Sequence, residues 1–356
     1  MKVCIIGDSN IGFMPYLKYY EEILISLRIQ YTILYWDRFN LNEKKENTFR
    51  FGYQENRSLI SRISGYIKYR KFILKHLENH GYDFYIVLSA QIGLLINNFL
   101  KTHPFILDIR DYTHENIFIY RSLAFDLIKR ASLVGISSPA FKQWLPEGAE
   151  YVISHNMEIN DVEKQTTDFD FNKRIITFAG FIRYYLSNIA FLKTLKGRPD
   201  IAVKYAGGHQ TNEENKIKRY CFENNMTNVE FSGVYTERTK PDIYRSTNFI
   251  HSYYGNSNIS VTTQIPNRLY ESCIYKRPII VSSGTYLAEI VTRHEIGIVF
   301  DTNNPEQFFQ DMNRYYDPDY YERYKINCNR FLETVVKDIR IFRSKVKEVL
   351  AANKII

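Results

Sequence analysis

The sequence predicts an α/β protein whose two halves each contain a parallel sheet covered by helices. Short apolar runs rich in β-branched residues alternate with stretches long enough for crossover helices. The alternation occurs twice, on either side of a polar, acidic segment at 157–173. A length of 356 residues also favours two domains.

The runs that we expect to form strands are four to six residues long, except for one of three residues. Several of them are apolar without interruption, as in strands that are covered on both faces. In the first half they are 2–6, 31–36, 84–89, 104–109, 133–137 and 151–153. In the second half they are 175–179, 201–206, 229–232, 248–252, 278–282 and 297–300. A charged helix is predicted from about Tyr320 to Ala352. Its apolar stripe consists of Phe331, Val335, Ile339, Phe342, Val346 and Leu350.

Composition restricts the partners and the compartment. The net charge of +8 and a pI near 9.0 favour an anionic partner, for which nucleotide diphosphates, anionic lipid surfaces and nucleic acid all qualify. No run of 18 apolar residues is present, and the opening Met1–Gly7 is expected to be a first strand rather than a signal peptide. The four scattered cysteines favour a reduced, cytoplasmic setting without disulfides or a metal site.

Two loops of the first half follow predicted strands, where ligands bind in open α/β sheets. Residues 7–12 contain two glycines, and we expect Gly12 to bring the backbone close to a ligand; a tight turn is the alternative. Residues 108–114 cluster charges, and Asp111 and His114 could orient or deprotonate a sugar hydroxyl. The alternative is a structural pair between Arg110 and an aspartate.

Loops of the second half contain further candidates. Gly180 permits close backbone approach, and Arg183 could grip a diphosphate, unless it is merely a surface arginine. Tyr235 is a candidate neighbour of a nucleobase. His209 follows another strand, but ordinary loop chemistry is the favoured interpretation of it.

Glu271 is the sharpest prediction from the residues alone. A carboxylate can accept hydrogen bonds from both ribose hydroxyls, and Asn267 and Arg268 at the same helix start could meet phosphate. The alternative is a helix-stabilising Glu271 paired with Lys276 or Arg277. The next strand is followed by a loop of small residues. We expect Ser283 and Gly284 of this loop to contact the same nucleotide-bearing ligand.

One segment, 62–78, is strongly basic, with Glu78 as its only acid. We expect Ile63, Ile67, Leu74 and Leu77 to form its apolar face. A helix lying on a membrane surface and a solvated helix packed on its own domain both fit, and the second is favoured. The basic residues are Arg62, Lys68, Arg70, Lys71 and Lys75.

The order and spacing of these motifs resemble the GT-B glycosyltransferases, specifically the large retaining group called family 4. The resemblance covers most of the second half and parts of the first. Its matching segments are Phe178 to Arg183 with Asn188, Asn228 to Gly233, Pro266 to Ser282, Ala288 to Val291 before Gly297, and Asp108 to Asp111.

The resemblance implies two Rossmann-like domains facing across a cleft. We expect an acceptor-binding domain at 1–158, a nucleotide-sugar domain at 172–335 and a C-terminal helix at 336–356 that returns to the first domain. Glu271 would bind ribose, Arg183 and the 263–268 loop would bind diphosphate, and Tyr235 would border the base. Three positions depart from the family pattern, namely Thr263, Leu186 and Arg110.

The function implied is retaining transfer of a sugar from a nucleoside-diphosphate donor, UDP or GDP, to a glycan or lipid-linked acceptor. Capsule or O-antigen synthesis in bacteria is the implied setting, with the protein cytoplasmic or peripheral on the inner membrane face. Arg183, Arg268 and Glu271 are the expected catalytic residues, and no metal or other cofactor is expected. The alternatives are a sugar-nucleotide epimerase of the same fold and a non-catalytic basic binding protein, although no nucleic-acid recognition motif is present.

Overall fold

The computed structural model describes residues 1–54, 56, 58–157, 159, 169–207, 212–236 and 238–353. The chain divides into two compact units, one comprising Met1–Asn156 with Lys337–Ile356 and the other Met157–Val336. Most of the predicted linker at 157–173 lies outside the described residues, as does His209.

The first unit is built on a seven-stranded sheet in which all neighbouring strands are parallel. Its strands are β1 (Lys2–Ile6), β2 (Gln30–Asp37), β3 (Thr48–Gly52), β4 (Phe84–Val87), β5 (Phe105–Ile109), β6 (Leu133–Ile136) and β7 (Tyr151–Ile153). The order across the sheet is β3-β2-β1-β4-β5-β6-β7. The chain therefore reverses its direction of travel between β1 and β4, which is where α/β sheets open a crevice for ligands.

Helices of the first unit connect these strands. They are α1 (Leu17–Ser26), α2 (Leu59–Asn79), α3 (Ala90–Leu95), α4 (Asn97–Leu100) and α5 (Phe118–Arg130), with 3₁₀ turns at Ile11–Phe13 and Pro139–Gln143. Ile63 and Ile67, predicted to share one apolar face of α2 with Leu74 and Leu77, are each 51% exposed, so the favoured packing of that whole face on the domain is not seen. The helix instead packs through Tyr69, Ile73 and Leu77.

The second unit repeats the arrangement with six strands, again with every neighbouring pair parallel. They are β8 (Ile175–Ala179), β9 (Ala202–Ala206), β10 (Val229–Gly233), β11 (Phe249–Ser252), β12 (Ile279–Ser282) and β13 (Gly297–Phe300). The order β10-β9-β8-β11-β12-β13 reverses between β8 and β11. This pair of strands is the counterpart of β1 and β4.

The helices of the second unit cover both faces of its sheet, as parallel sheets require. They are α6 (Tyr185–Thr194), α7 (Asn212–Glu223), α8 (Lys240–Arg245), α9 (Ile259–Thr263), α10 (Asn267–Ile274), α11 (Tyr286–His294), α12 (Pro305–Arg314) and α13 (Pro318–Ala352). Residues of α13 up to Val336 belong to the second unit, and those from Lys337 belong to the first. Phe342, Val346 and Leu350 join the core of the first unit, together with side chains of β1, α1 and β2.

The α/β fold class is confirmed, and all twelve predicted strands are present. Strand β3 was missed, because Phe49 and Phe51 alternate with polar residues in a short segment that forms an edge of the sheet. The four cysteines are buried free thiols. Among the described residues, every helix is too short or too polar to span a bilayer.

Candidate functional site

Arg268 joins the carboxyl ends of the two strands at which the second sheet reverses. It lies in the first turn of α10, and its residue is only 6% exposed. Its Nη1 donates to the carbonyl of Ala179 at 2.8 Å, and its Nε donates to Ser252 Oγ at 3.4 Å. Ala179 ends β8 and Ser252 ends β11. The guanidinium therefore sits where ligands bind in folds of this kind.

The charge of Arg268 has no carboxylate partner within 4.0 Å among the described residues. Its guanidinium carbon instead lies 4.4 Å from the ring centroid of Phe178 and 4.9 Å from that of Tyr254. Burial lowers the pKa of Arg268, because charge is disfavoured away from water. Tyr244 and then Glu271 oppose this lowering of the pKa, but a buried cation without an ion-pair partner still costs several kcal/mol. This position is therefore suited to an incoming anion.

Gly180 makes room for that guanidinium. A Cβ at position 180 would lie 2.9 Å from Arg268 Nη1, and the glycine has a φ of +143°. The next loop approaches still more closely, since a Cβ on Gly207 would lie 2.1 Å from the Gly180 carbonyl oxygen. The two loops thus pack backbone to backbone, which only glycine permits.

Arg183 lies on the loop between β8 and α6. Its side chain is exposed and lies 4.8 Å from the ring of Phe181, and it forms no ion pair with a described carboxylate. The turn that carries it is fixed by Asn188, whose Nδ2 donates to the carbonyls of Arg183 and Tyr184 at 2.8 and 3.0 Å. A second arginine is thereby held on the loop that follows β8.

His251, on β11, completes this support. Its ring stacks on Phe191 at 4.4 Å, and its Nδ1 accepts from the backbone amide of Tyr253 at 3.3 Å. The Nε2 therefore carries the proton and donates to Asn188 Oδ1 at 3.1 Å. Burial, and then the charge of Arg268, lower the pKa of His251 to about 3. The imidazole is thus neutral at physiological pH and acts as a fixed donor.

Glu271 follows Arg268 by three residues, so the two share one side of α10. Its Oε1 accepts from Lys240 Nζ at 2.7 Å, and its Oε2 accepts from the hydroxyl of Tyr244 at 2.5 Å. The alternative partners, Lys276 and Arg277, bind other groups. The side chain remains 14% exposed. A carboxylate has about four lone-pair positions, so two remain for a ligand.

Three further predicted residues lie close to this centre in the chain or in space. Asn267 is the first residue of α10, directly before Arg268. Tyr235 is half-buried; it adds to the raised pKa of Tyr244 and opposes the lowered pKa of Arg268. Thr263 is buried in α9, and its hydroxyl donates to the carbonyl of Ile259 at 2.7 Å.

The loop after β12 carries the remaining donor-side candidates. The carbonyl of Ser283 accepts from Asn256 Nδ2 at 3.1 Å. Gly284 has a φ of +71°, and a Cβ there would lie 3.0 Å from the same nitrogen. Ser282 Oγ accepts from the amide of Gly255 at 2.8 Å, so this loop and the one after β11 support each other.

In the first unit, the loop that contains Gly12 is bound by a carboxylate of the protein itself. Glu43 Oε1 accepts from the amide of Gly12 at 2.7 Å, and Oε2 accepts from the amide of Ile11 at 2.9 Å. Asn10 Nδ2 links Glu43 to Asp37, at 3.0 and 2.6 Å respectively. These amides resemble an anion site that is already occupied.

A small cavity of about 90 Å³ opens where the first sheet reverses, beside the ends of β1, β4 and β5. Asp8, Ser89 and Asp111 contribute polar side chains to its wall, and Ser89 Oγ donates to Asp8 Oδ2 at 3.2 Å. Burial raises the pKa of Asp8, and Asp111 adds to this, although Arg38 and Ser89 oppose it. The cavity has room for a hydroxyl-bearing fragment rather than a whole sugar ring.

The other candidates of the first unit lie away from this cavity or serve the fold. His114 is exposed and packs against Tyr120, with 5.5 Å between ring centroids. Arg110 lines the cavity, but its Nε lies 2.5 Å from Asp108 Oδ1 and its Nη1 donates to the Ser154 carbonyl at 2.7 Å. Arg110 is thus committed to a structural pair, which is the alternative that the sequence left open.

Sequence reasoning missed Asp8 and Glu43. Asp8 directly follows the first strand and its glycine, so its place in a strand-end loop was a usable signal. Glu43 lies in a polar segment without periodicity, and nothing local indicates its partner. Among the described residues, no group of three His, Cys, Asp or Glu side chains could hold a metal ion.

No protein-family model and no curated protein sequence matches the chain. Solved structures do match it. The sucrose-phosphate synthase of Thermosynechococcus elongatus superposes with a TM-score of 0.77 at 12% identity, covering 99% of this chain and 100% of that one. This chain has the GT-B fold.

Two other GT-B structures superpose over nearly their whole lengths. The complex of Anabaena HepE with UDP has a TM-score of 0.73 at 14% identity, with 99% of this chain and 100% of that one covered. The lipopolysaccharide outer core galactosyltransferase WaaB in its apo form has a TM-score of 0.64 at 13% identity, with 97% and 99% covered. These likenesses confirm the GT-B fold that the motifs of the sequence predicted.

Proposed function

We propose that the protein is a glycosyltransferase that moves a sugar from a nucleoside diphosphate to a glycan or a lipid-linked acceptor. The observation that carries the proposal is Arg268, a buried guanidinium without a described carboxylate partner, at the reversal point of the second sheet. One turn of helix further on, Glu271 offers acceptor positions for ribose. A cation for phosphate and a carboxylate for ribose on one helix fit a nucleoside diphosphate.

The diphosphate is the leaving group, and charge builds up on it as the glycosidic bond breaks. Arg268, a buried and fixed positive group, stabilises this charge, and the exposed Arg183 adds a second positive group from the loop after β8. A single such donor in a dry site contributes roughly 3–4 kcal/mol to transition-state stabilisation. Thr263 and Leu186 stand where family members often carry a glutamate and a lysine, so these arginines have the larger share of the work here.

UDP is the donor nucleotide we favour. HepE is known in complexes with UDP and with UDP-glucose, and WaaB is a galactosyltransferase of the same fold. We assign Tyr235 to the border of the base, and Asn267, Ser283 and Gly284 to contacts with the phosphates and the sugar of the donor, as the resemblance implies. The proposal needs no metal and no cofactor besides the donor.

The acceptor side belongs to the first unit in this proposal. The polar cavity with Asp8, Ser89 and Asp111 fits a sugar hydroxyl. His114 and Gly12, which do not line the cavity, stay predictions for acceptor contacts from the sequence. Retention of anomeric configuration is part of the proposal, with a donor phosphate oxygen taking the acceptor proton. Its support is the resemblance of the segment Pro266 to Ser282 to the retaining family. The same resemblance supports bacterial capsule or O-antigen synthesis at the inner membrane face.

The test is a thermal-shift panel of UDP, GDP, ADP and CDP and their sugars on the wild type, Glu271→Ala and Glu289→Ala. Glu289 is an exposed carboxylate of α11 and serves as the matched control. One nucleotide should raise the Tm of the wild type and the control but not of Glu271→Ala, by mass action.

Incubation with the matching nucleotide sugar then separates the reaction classes. A glycosyltransferase gives free nucleoside diphosphate that increases with an added glycan acceptor. An epimerised sugar nucleotide formed without acceptor would instead show that the protein is a sugar-nucleotide epimerase. No Tm shift with any nucleotide would refute a donor site at Glu271.

A further inference from the structure

Two helices of the first unit expose large apolar side chains next to basic ones. The members of this apolar-basic surface are Ile60, Ile63, Ile67, Lys68, Lys71 and Lys75 of α2 with Phe118, Ile119, Leu123 and Arg121 of α5. We propose that this surface docks the protein on an anionic lipid bilayer. The surface is argued from exposure and charge. The inference rests on the proposed function only in that this function gives the protein a reason to dock on a membrane.

Helix α2 has two apolar faces, of which only one packs on the sheet. Tyr69 and Ile73 are fully buried. In contrast, Ile60 is 81% exposed, and Ile63 and Ile67 are each 51% exposed. At about 100° per residue these three isoleucines form one stripe, roughly opposite to the packed face. A stripe of three β-branched side chains in water is not explained by the packing of the unit.

Lysines border this stripe on one side. Lys68, Lys71 and Lys75 project within about 80° of Ile60 on the helix wheel. None of the three forms an ion pair within 4.0 Å with a described carboxylate, and Lys68 lies 4.4 Å from the ring of Tyr53. Unpaired cations beside an apolar stripe are the arrangement of helices that lie in a bilayer interface.

Helix α5 continues the surface. Phe118 is 73% exposed, Ile119 70% and Leu123 48%. Arg121 lies 5.9 Å from the ring of Phe118 and adds a cation to this turn. Phenylalanine and isoleucine at the start of a helix, with arginine beside them, can enter the headgroup region while the charge stays at the lipid phosphates.

The two helices lie on the same face of the first sheet, with α3 between them. Tyr66 of α2 donates to Gln91 of α3 at 3.2 Å, and Arg70 of α2 donates to the carbonyl of Leu95 at 3.0 Å. Helix α3 in turn packs on α5.

Charge complementarity selects lipid as the occupant. Each Lys or Arg near an anionic bilayer is attracted to its surface, and apolar groups that enter the headgroup region add to the attraction. The only acid of α2 is Glu78, near its far end, and Asp126 of α5 already pairs with Arg130. In the second unit, Phe222 is 85% exposed and Ile326 51%, on different helices, so they serve as matched controls.

The experiment is sedimentation of the full chain with vesicles of phosphatidylcholine alone or with 30% phosphatidylglycerol as a chosen composition, at about 0.05 M and about 0.5 M NaCl. The wild type should bind the anionic vesicles at low salt and lose most binding at high salt. Ile60→Ser with Ile63→Ser, and Phe118→Ser with Ile119→Ser, should each reduce partitioning about tenfold, whereas Phe222→Ser with Ile326→Ser should not. Lys71→Glu with Lys75→Glu should remove the dependence on salt.

Nucleotide-induced Tm shifts of the same variants separate this inference from the proposed function. Unchanged shifts with lost vesicle binding support the surface and leave the donor site intact. Absence of vesicle binding by the wild type would overturn the inference, as would equal binding by all variants. Self-association that disappears in the same serine variants, without vesicle binding, would also overturn it by making the surface an interface between copies of the chain.

Discussion

In both units a glycine-containing loop follows a strand at which the sheet reverses. The charged groups that these two loops face are of opposite sign. In the first unit, the amides of Ile11 and Gly12 are already bound by the carboxylate of Glu43. In the second unit, the glycine loop faces the guanidinium of Arg268, which has no carboxylate partner among the described residues. The comparison teaches that a glycine-containing strand-end loop is not by itself an anion site. What matters is whether the fold has left its positive groups unsatisfied.

The largest effect should come from Arg268→Met. Removing the cation should abolish the nucleotide-induced Tm shift and lower kcat about 100–1000-fold, since stabilisation of the leaving diphosphate is lost. The Tm of the unliganded protein should change little. Loss of the hydrogen bond to Ala179 is offset by removal of an unpaired buried charge. Arg268→Lys is the control and should retain part of the binding. A collapse of the unliganded Tm in both variants would make Arg268 a structural residue.

Asp37→Asn tests whether the ionised carboxylate of Asp37 stabilises the loop of the first unit that contains Asn10 and Gly12. Although burial raises it, hydrogen bonds from Asn10, the amides of Leu41 and Asn42, and Arg50 lower the pKa of Asp37 to about 2. A depressed pKa stabilises the folded state above pH 3.8, and this contribution disappears as the pH falls towards 2.

The variant should therefore be less stable by about 2 kcal/mol at pH 7 in denaturant unfolding, and the deficit should shrink below pH 4. Asp126→Asn, an exposed substitution in the same unit, is the control. A deficit that is the same at pH 7 and pH 3 would show that ionisation of Asp37 does not hold the loop.

Asp8→Asn probes the cavity of the first unit. The raised pKa of Asp8 means that ionisation opposes folding, so the variant should be more stable than the wild type at pH 7. The gain should vanish below the ordinary aspartate pKa of 3.8, where both forms are neutral. If the cavity binds the acceptor hydroxyl, kcat/KM for the acceptor should also fall about tenfold, with donor binding unchanged. Weaker binding of the donor would show that Asp8 contacts the nucleotide sugar rather than the acceptor.

Glu43→Ala should have the smallest effect. The two loop amides lose their acceptor and turn to water, which should cost about 1 kcal/mol and lower the Tm by a few degrees. Sulfate should then restore the Tm of this variant more than that of the wild type or of Glu46→Ala, because the vacated amides can hold an anion. Equal sulfate effects on all three proteins would show that the amides do not form an anion site.

Much of the fold followed from local patterns. Short apolar runs rich in β-branched residues located twelve strands, and several of the runs are uninterrupted because a strand covered on both faces needs apolar residues throughout. The half-exposed edge strand β3 lacks that signature. Helix α2 shows a further limit, because it has two apolar faces and the sequence alone cannot say which one packs. Of the apolar face predicted from the sequence, Leu77 packs on the unit, whereas Ile63 and Ile67 are exposed.

The sequence by itself determined the alternation of strands and helices, the duplication and the placing of Glu271 beside Arg268, because each depends on residues close in the chain. Only the tertiary structure decided which charges are paired. Glu43 accepts a hydrogen bond from the amide of Gly12, and Lys240 forms an ion pair with Glu271. Arg268 donates to a backbone carbonyl instead of to a carboxylate. These partners come together only once the strands have taken their order, since side-chain electrostatics act over a few ångströms of space rather than along the chain.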